Sequence, residues 1–232
     1  MMPGTNEAPS PRAVVFDLDG LMFNTEDLYH EVGAEVLRRR GHAVSVELLD
    51  EMMGRPPHAA LQVMIDWHGL SATTDELLRD SDEILAALLE ERLAPMPGLL
   101  ELLAAIESGG LPKAIATSSR RDYARRVLAP LDLESRFAFI LTSEDVTQGK
   151  PHPEIYEKAA RQLALSPGQV MVLEDSQNGC RAAIAAGSVA VAVKSRHNQR
   201  HDFRGAALVA DSLADGRIYE FLRLSPPKNV SS

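Results

Sequence analysis

Five short runs of unbroken apolar, largely β-branched residues constrain this chain more than any other feature. They are AVVFDL (13–18), KAIATS (113–118), AFILT (138–142), VMVLED (170–175) and VAVAV (189–193), with ALVA (207–210) a candidate sixth. Continuous hydrophobicity, as opposed to an apolar/polar alternation, marks strands buried on both faces, as in a parallel sheet covered by helices on each side. Helical patterns at about 99–108, 120–130, 153–164 and 177–187 supply the crossovers. The expected fold is therefore α/β, a doubly wound, Rossmann-like, mostly parallel sheet.

One interval breaks the rhythm. About 90 residues separate the first run from the second and carry helical patterns only, near 25–40, 45–53, 57–67 and 74–92. Val32, Val36, Leu37, Leu61, Met64 and Ile65 recur at helical spacing, while Gly41 and the GRPP segment (54–57) punctuate it. A crossover needs far fewer residues, so an all-α domain is expected at 24–93, inserted after the first strand, with APMPG (94–98) as its return hinge. The core would then comprise 12–23 and 94–224, with flexible tails at 1–11 and 225–232. An insertion at the C-terminal edge of such a sheet lies where ligands bind, in the position of a lid. Met52, Met53 and Met64 read as packing residues.

Composition removes several function classes. The net charge is -9, and no basic stripe supports a nucleic-acid partner. The arginine groups at 38–40, 120–121 and 125–126 fit solvated helix faces. A single cysteine, Cys180, forbids an intramolecular disulfide, and its Ala-rich surroundings suit a small buried thiol. No run approaches ~18 apolar residues, so a cytoplasmic protein without a membrane partner is expected; a monomer or weak dimer is the expected assembly.

The chemistry collects at strand ends. The first run closes in Asp17-Leu18-Asp19-Gly20. Residues two apart on an extended chain face one way, so two carboxylates leaving a buried strand together need a cation or a shared proton. A hard divalent ion such as Mg²⁺ answers that need, and Gly20 lets the backbone turn close to a ligand; a plain acidic turn is the alternative. The second run closes in Thr117-Ser118-Ser119 before a helix, which suits either a phosphate cradle or N-capping by Ser118 or Ser119. Two prolines stiffen the Gly149-Lys150-Pro151-His152-Pro153 loop, whose lysine either neutralises a carboxylate and a phosphate or lies on the surface. The fourth run closes in Glu174-Asp175, a second acid pair on the same sheet edge; for Glu174, a structural ion pair with Lys150 is the alternative role.

FDLDGLMFNT, ATSS, GKPHP and VLEDSQNG, in this order, resemble the four motifs of the haloacid dehalogenase-like hydrolase superfamily across about 12–222. The helical insertion resembles that superfamily's C1-type cap, in the branch of β-phosphoglucomutase and phosphoglycolate phosphatase. The resemblance implies that Asp17 attacks phosphorus to form an aspartyl-phosphate, and that Asp19 protonates the leaving oxygen and then deprotonates water. It implies Mg²⁺ on the Asp17 carboxylate, the Asp19 backbone carbonyl and Asp175, with Glu174 beside it, on the metal or orienting Lys150 or a metal-bound water. Thr117, Ser118 and Lys150 would bind the transferring phosphoryl group, with Ser119 and Gly20 beside it and Thr25 and Asn178 in support. Arg55, in the loop that this family lays over the phosphate, is the candidate reader of a second anionic group; His30 and His58 are weaker candidates.

The branch is read from departures. Where mutase relatives carry a histidine on the cap helix this chain has Tyr29, with His30 one place on, a rotation of ~100°. Met53 stands in place of the mutase's cap-loop lysine. Metal-independent dehalogenases lack the second aspartate of the first motif, and the 24–93 segment has no lysine for phosphonate chemistry. Receiver-like signalling domains lack a long helical insertion. The expected function is Mg²⁺-dependent hydrolysis of a small phosphorylated metabolite, a sugar phosphate or a phosphoglycolate-like ester; a phosphomutase is the alternative, and a non-catalytic regulator of this superfamily a more distant one.

Overall fold

The computed structural model describes residues 10–52 and 57–225. By their internal contacts the residues form two units, one running to Asn24 and resuming at Pro95, the other spanning Thr25–Ala94.

The first unit is a sheet of six strands: β1 (Ala13–Phe16), β2 (Lys113–Ala116), β3 (Ile140–Leu141), β4 (Val170–Glu174), β5 (Val189–Val193) and β6 (Leu208–Ala210). Their spatial order is β3-β2-β1-β4-β5-β6, and every pairing is parallel. Chain order thus reverses at β1, with β2 and β3 to one side and β4, β5 and β6 to the other. A doubly wound sheet opens its crevice at such a switch point, beyond the C-terminal ends of the strands. All residues of β1, β2 and β4 are buried, as their unbroken apolar runs demand.

Five helices complete this unit: α5 (Leu99–Ser108), α6 (Arg121–Leu128), α7 (Glu154–Gln162), α8 (Gln177–Ala185) and α9 (Gly216–Leu222). Ile155, Tyr156, Ala159 and Ala160 of α7 and Ala182 and Ala183 of α8 pack against Val15, Ala114, Ala116 and Val172 of the sheet. The sequence patterns include no counterpart of α9, whose seven residues span only two turns. It is capped by the Asp215 side chain, which accepts from the Arg217 N–H, and it buries Ile218, Tyr219 and Leu222.

Among the described residues the second unit is all helix: α1 (Thr25–Arg38), α2 (Val46–Met52), α3 (Pro57–His68) and α4 (Thr74–Arg92). One core joins them, made by Val32, Val36, Leu37, Leu48, Leu61, Met64, Leu77 and Ile84, with Met52 and Ile65 partly buried against it. The helical spacing of the apolar residues therefore reports their burial, and Met52 and Met64 are packing residues. Met53 and Arg55 lie outside the described residues. Tyr29 is 40% exposed, His30 half-buried and His58 exposed.

The strands β1 to β4 end sooner than their apolar runs, whereas β5 and β6 end with theirs. β1 stops at Phe16 and β2 at Ala116, so Asp17, Asp19 and Thr117 stand just beyond the ladder. These three polar side chains fall where the backbone leaves the sheet.

Candidate active site

Three strand ends and one loop meet at the switch point. Asp17 follows β1 and is tied to the neighbouring strand by its N–H, which donates to the Leu173 carbonyl at 3.0 Å. Lys150 reaches in from the loop before α7, where the Lys150–Pro151 peptide is cis. Its Nζ donates to Asp17 Oδ1 at 2.5 Å, to Glu174 Oε1 at 2.7 Å and to the Ala116 carbonyl at 2.9 Å. The lysine side chain is 5% exposed, so it is a buried cation held by two strand-end carboxylates and a strand-end carbonyl. A role as a surface lysine is thereby excluded, and the ion pair with Glu174, the alternative role for that residue, is present.

Glu174 is fully engaged. Lys150 and the Tyr156 hydroxyl, at 2.6 Å, share Oε1, while Oε2 accepts from the Ser176 N–H at 3.1 Å and the Ser176 hydroxyl at 2.9 Å. Gly179 permits the close approach of α8: a Cβ there would sit 1.7 Å from Glu174 Oε1. Asp175 follows, and its carbonyl is fixed by Asn198 Nδ2 at 2.8 Å.

The acidic charges are crowded. Asp17, Glu174 and Asp175 offer carboxylate oxygens within 4.8 Å of one another, and all three residues are buried. Burial, with the Glu174 and Asp19 charges adding, pushes the Asp17 carboxyl well above the usual range despite Lys150. Burial also works against the lysine charge, but Asp17 and Glu174 outweigh it and hold the ammonium above the ordinary lysine range. Three buried acids lie together, a charge density that a divalent ion would offset, and an all-oxygen donor set suits Mg²⁺. The residues present thus fit the ion; Glu174 already accepts four hydrogen bonds.

Asp19 has a different environment. Its Oδ1 accepts from the Tyr123 hydroxyl at 2.9 Å, and its Oδ2 from the Ser119 hydroxyl at 2.6 Å and the Thr117 hydroxyl at 3.5 Å. The two aspartates are near enough for their charges to interact, yet they take separate partners. The alternation of an extended strand does not govern them, because β1 ends at Phe16 and Gly20 turns the chain at φ 72°.

The remaining predicted positions divide. Thr117 is buried, and its hydroxyl also accepts from the Ser119 N–H at 3.0 Å. Ser118 is exposed, and Ser119 is half-buried with its hydroxyl on Asp19. Neither serine caps α6, whose N-cap is Arg120 without a side-chain hydrogen bond. Asn178 is exposed in the first turn of α8 and takes no part in the contacts just described, whereas Thr25 is buried at the start of α1. Cys180 is buried, and burial together with the Glu174 charge raises its thiol far above the reactive range, as its Ala-rich context implies.

Sequence reasoning missed Tyr156, Tyr123 and Asn198. A signal existed for Tyr156: it falls on the buried face of α7, where a phenol needs a hydrogen-bond partner. Asn198, 2% exposed, lies in a polar loop after β5 and gives no pattern. Tyr123 stands in an Arg-rich helix and gives none either.

Known proteins are similar to this chain. A family described as haloacid dehalogenase-like hydrolase matches residues 14–193. A phosphorylated carbohydrates phosphatase from Thermotoga maritima is 33% identical over 175 residues, 75% of this chain and 81% of that protein. Among solved structures, a haloacid dehalogenase family hydrolase from Deinococcus radiodurans with bound phosphate and sodium superposes with a TM-score of 0.78 at 28% identity, covering 95% of this chain and 100% of that one. A Thermotoga maritima protein provisionally named a beta-phosphoglucomutase superposes with a TM-score of 0.76 at 30% identity, covering 91% and 97%. The chain belongs to the haloacid dehalogenase-like hydrolase family. Within it, the chain is an enzyme of the phosphoric monoester hydrolase kind.

Proposed function

We infer that the enzyme is an Mg²⁺-dependent phosphatase acting on a small phosphomonoester, a sugar phosphate or a phosphoglycolate-like metabolite, through an aspartyl-phosphate. The observation that carries this reading is the division between the two aspartates: Asp17 lies against Lys150 and the acidic cluster, while Asp19 lies among hydroxyls. That division separates a nucleophile from a proton carrier. Lys150 occupies one Asp17 oxygen, Oδ1, and Oδ2 is assigned to phosphorus. As the Asp17 oxygen bonds to phosphorus, the ester P–O bond breaks and its electron pair stays on the leaving oxygen, which takes a proton from Asp19. Asp19 then takes a proton from water, whose oxygen attacks phosphorus and returns Asp17 with release of phosphate. Lys150 and the Thr117 and Ser118 region stabilise charge on the transferring group. Mg²⁺, held by Asp17, Asp175 and the Asp19 carbonyl, would neutralise charge on the phosphoryl oxygens.

The segment 24–93 is read as the helical cap that selects the substrate, with Arg55 its candidate anion reader. The carbohydrate esters named for the Thermotoga relative favour a sugar phosphate. No helix among the described residues is long and apolar enough to cross a membrane; a small metabolite met in the cytoplasm is part of this proposal. The test is a panel of phosphate esters with Mg²⁺, including β-glucose 1-phosphate, scored for free phosphate and for isomerisation. Phosphate release abolished in Asp17→Asn supports the reading. A 6-phosphate product without free phosphate establishes the mutase alternative, to which the provisionally named Thermotoga structure lends weight.

A further inference from the structure

The carboxylate assigned to proton transfer is clamped from two elements. Ser119 and Thr117, from the segment after β2, hold Asp19 Oδ2, and Tyr123, from the first turn of α6, holds Oδ1. A carboxyl group held at one oxygen still swings about its Cβ–Cγ bond. A second donor on the other oxygen fixes its plane, and with it the direction in which a proton leaves. General acid catalysis depends on that direction, because the donor oxygen must lie within hydrogen-bond reach of the leaving oxygen as the bond breaks.

We propose that Tyr123 is a positioning residue for leaving-group protonation: its phenol orients the Asp19 carboxyl and has no contact with substrate. This rests on the reading of Asp19 as the general acid. In the step concerned, the Asp17 oxygen bonds to phosphorus, the ester oxygen departs with the bonding pair, and the Asp19 proton passes to that oxygen. An alkoxide is a poor leaving group and needs the proton. A p-nitrophenolate is stable as an anion and does not.

The experiment compares kcat/KM of wild type, Tyr123→Phe and Asp19→Asn on a sugar phosphate and on p-nitrophenyl phosphate. This ratio counts steps only through departure of the leaving group, so the later attack of water does not enter it. Tyr123→Phe is expected to lower kcat/KM about 10-fold on the alkyl ester and less than about twofold on the aryl ester, a fraction of the whole general-acid effect. Asp19→Asn is expected to show the same selectivity, larger. Thermal midpoints of the variants show that each is folded, and a purely structural defect lowers both esters alike. An equal fall on both esters in Tyr123→Phe, or none on either, overturns the role of Tyr123 while a selective Asp19→Asn leaves the acid assignment standing. An Asp19→Asn variant without selectivity overturns both.

Discussion

The Tyr156 hydroxyl donates to Glu174 Oε1 at 2.6 Å, the oxygen that Lys150 Nζ also reaches at 2.7 Å. With Ser176 on the other oxygen, Glu174 accepts four hydrogen bonds, about the capacity of a carboxylate, at no exposure to solvent. It therefore acts as the anchor that presses Lys150 against Asp17. The lysine ammonium also lies 5.0 Å from the Tyr156 ring centroid, so the tyrosine braces it from a second side.

Tyr156→Phe keeps the ring and removes the hydroxyl. Loss of one buried hydrogen bond to a charged group is expected to cost about 1.5–3 kcal/mol of stability. Turnover should fall about 10-fold or more as Glu174 gains freedom to move, in the manner of outer-shell partners of a metal site. Urea unfolding and kcat measured on one preparation check both. Unchanged stability with unchanged kcat would show that the hydroxyl holds nothing.

Asp17 carries the opposite expectation for stability. Its carboxyl is buried beside Glu174 and Asp175 with one lysine among the three, and burial drives its proton affinity up. Asp17→Asn removes one of three crowded carboxylate charges and retains an oxygen for Lys150. Phosphate release should disappear, while the metal-free variant unfolds at a temperature equal to or above that of the wild type. The gain should be about 1–2 kcal/mol, the usual scale when a strained functional group is relieved. A lower melting temperature would mean that the Asp17 carboxylate stabilises the fold.

The same crowding of charge predicts how the protein answers Mg²⁺. A ligand that binds only the folded state raises stability by about 2.7 kcal/mol at one hundred times its dissociation constant. Thermal melting of the wild type should rise with Mg²⁺ and return on chelation. In Asp175→Asn the rise should shrink, because a carboxylate assigned to the ion is gone. An undiminished rise would place the ion elsewhere.

Why some of this was legible in the sequence, and some not, follows from how each residue is held. Val14, Ile115 and Val172 announced buried strands because both faces of a parallel sheet are covered. Asp17, Glu174 and Asp175 were visible because charges at the ends of such runs have no packing purpose, and Lys150 because two prolines stiffen its loop. The partners of Asp19 were not visible, since the departure of the chain from β1 after Phe16 sets them and no periodicity records it. Asn198 lies 23 residues beyond the Asp175 carbonyl that it holds, a contact made by tertiary closure alone. α9 escaped because a two-turn helix relies on the core that buries Ile218 and Leu222 more than on its own propensity.

Away from the active site, Glu107 ties α5 to β2. It accepts from Arg136 through both oxygens at 2.8 Å and pairs with Lys113 at 2.7 Å, whose side chain is 6% exposed. The Arg136 hydrogen bonds, helped by Lys113 and opposed by burial, hold the Glu107 carboxyl at about 2. A depressed carboxyl stabilises the fold fully above its unfolded value, about 4.3, and loses that contribution as pH falls toward about 2. Because the carboxylate is 40% exposed, solvent screens it and the contribution is about 1 kcal/mol. Glu107→Gln should therefore be less stable than wild type by about that amount at pH 7. Urea unfolding from pH 6 down to pH 3 should show the gap narrowing only below about pH 4.5, where the wild-type unfolded chain begins to take up the proton that the native carboxylate refuses. A gap that stays constant across that range would assign the loss to hydrogen-bond geometry and not to charge.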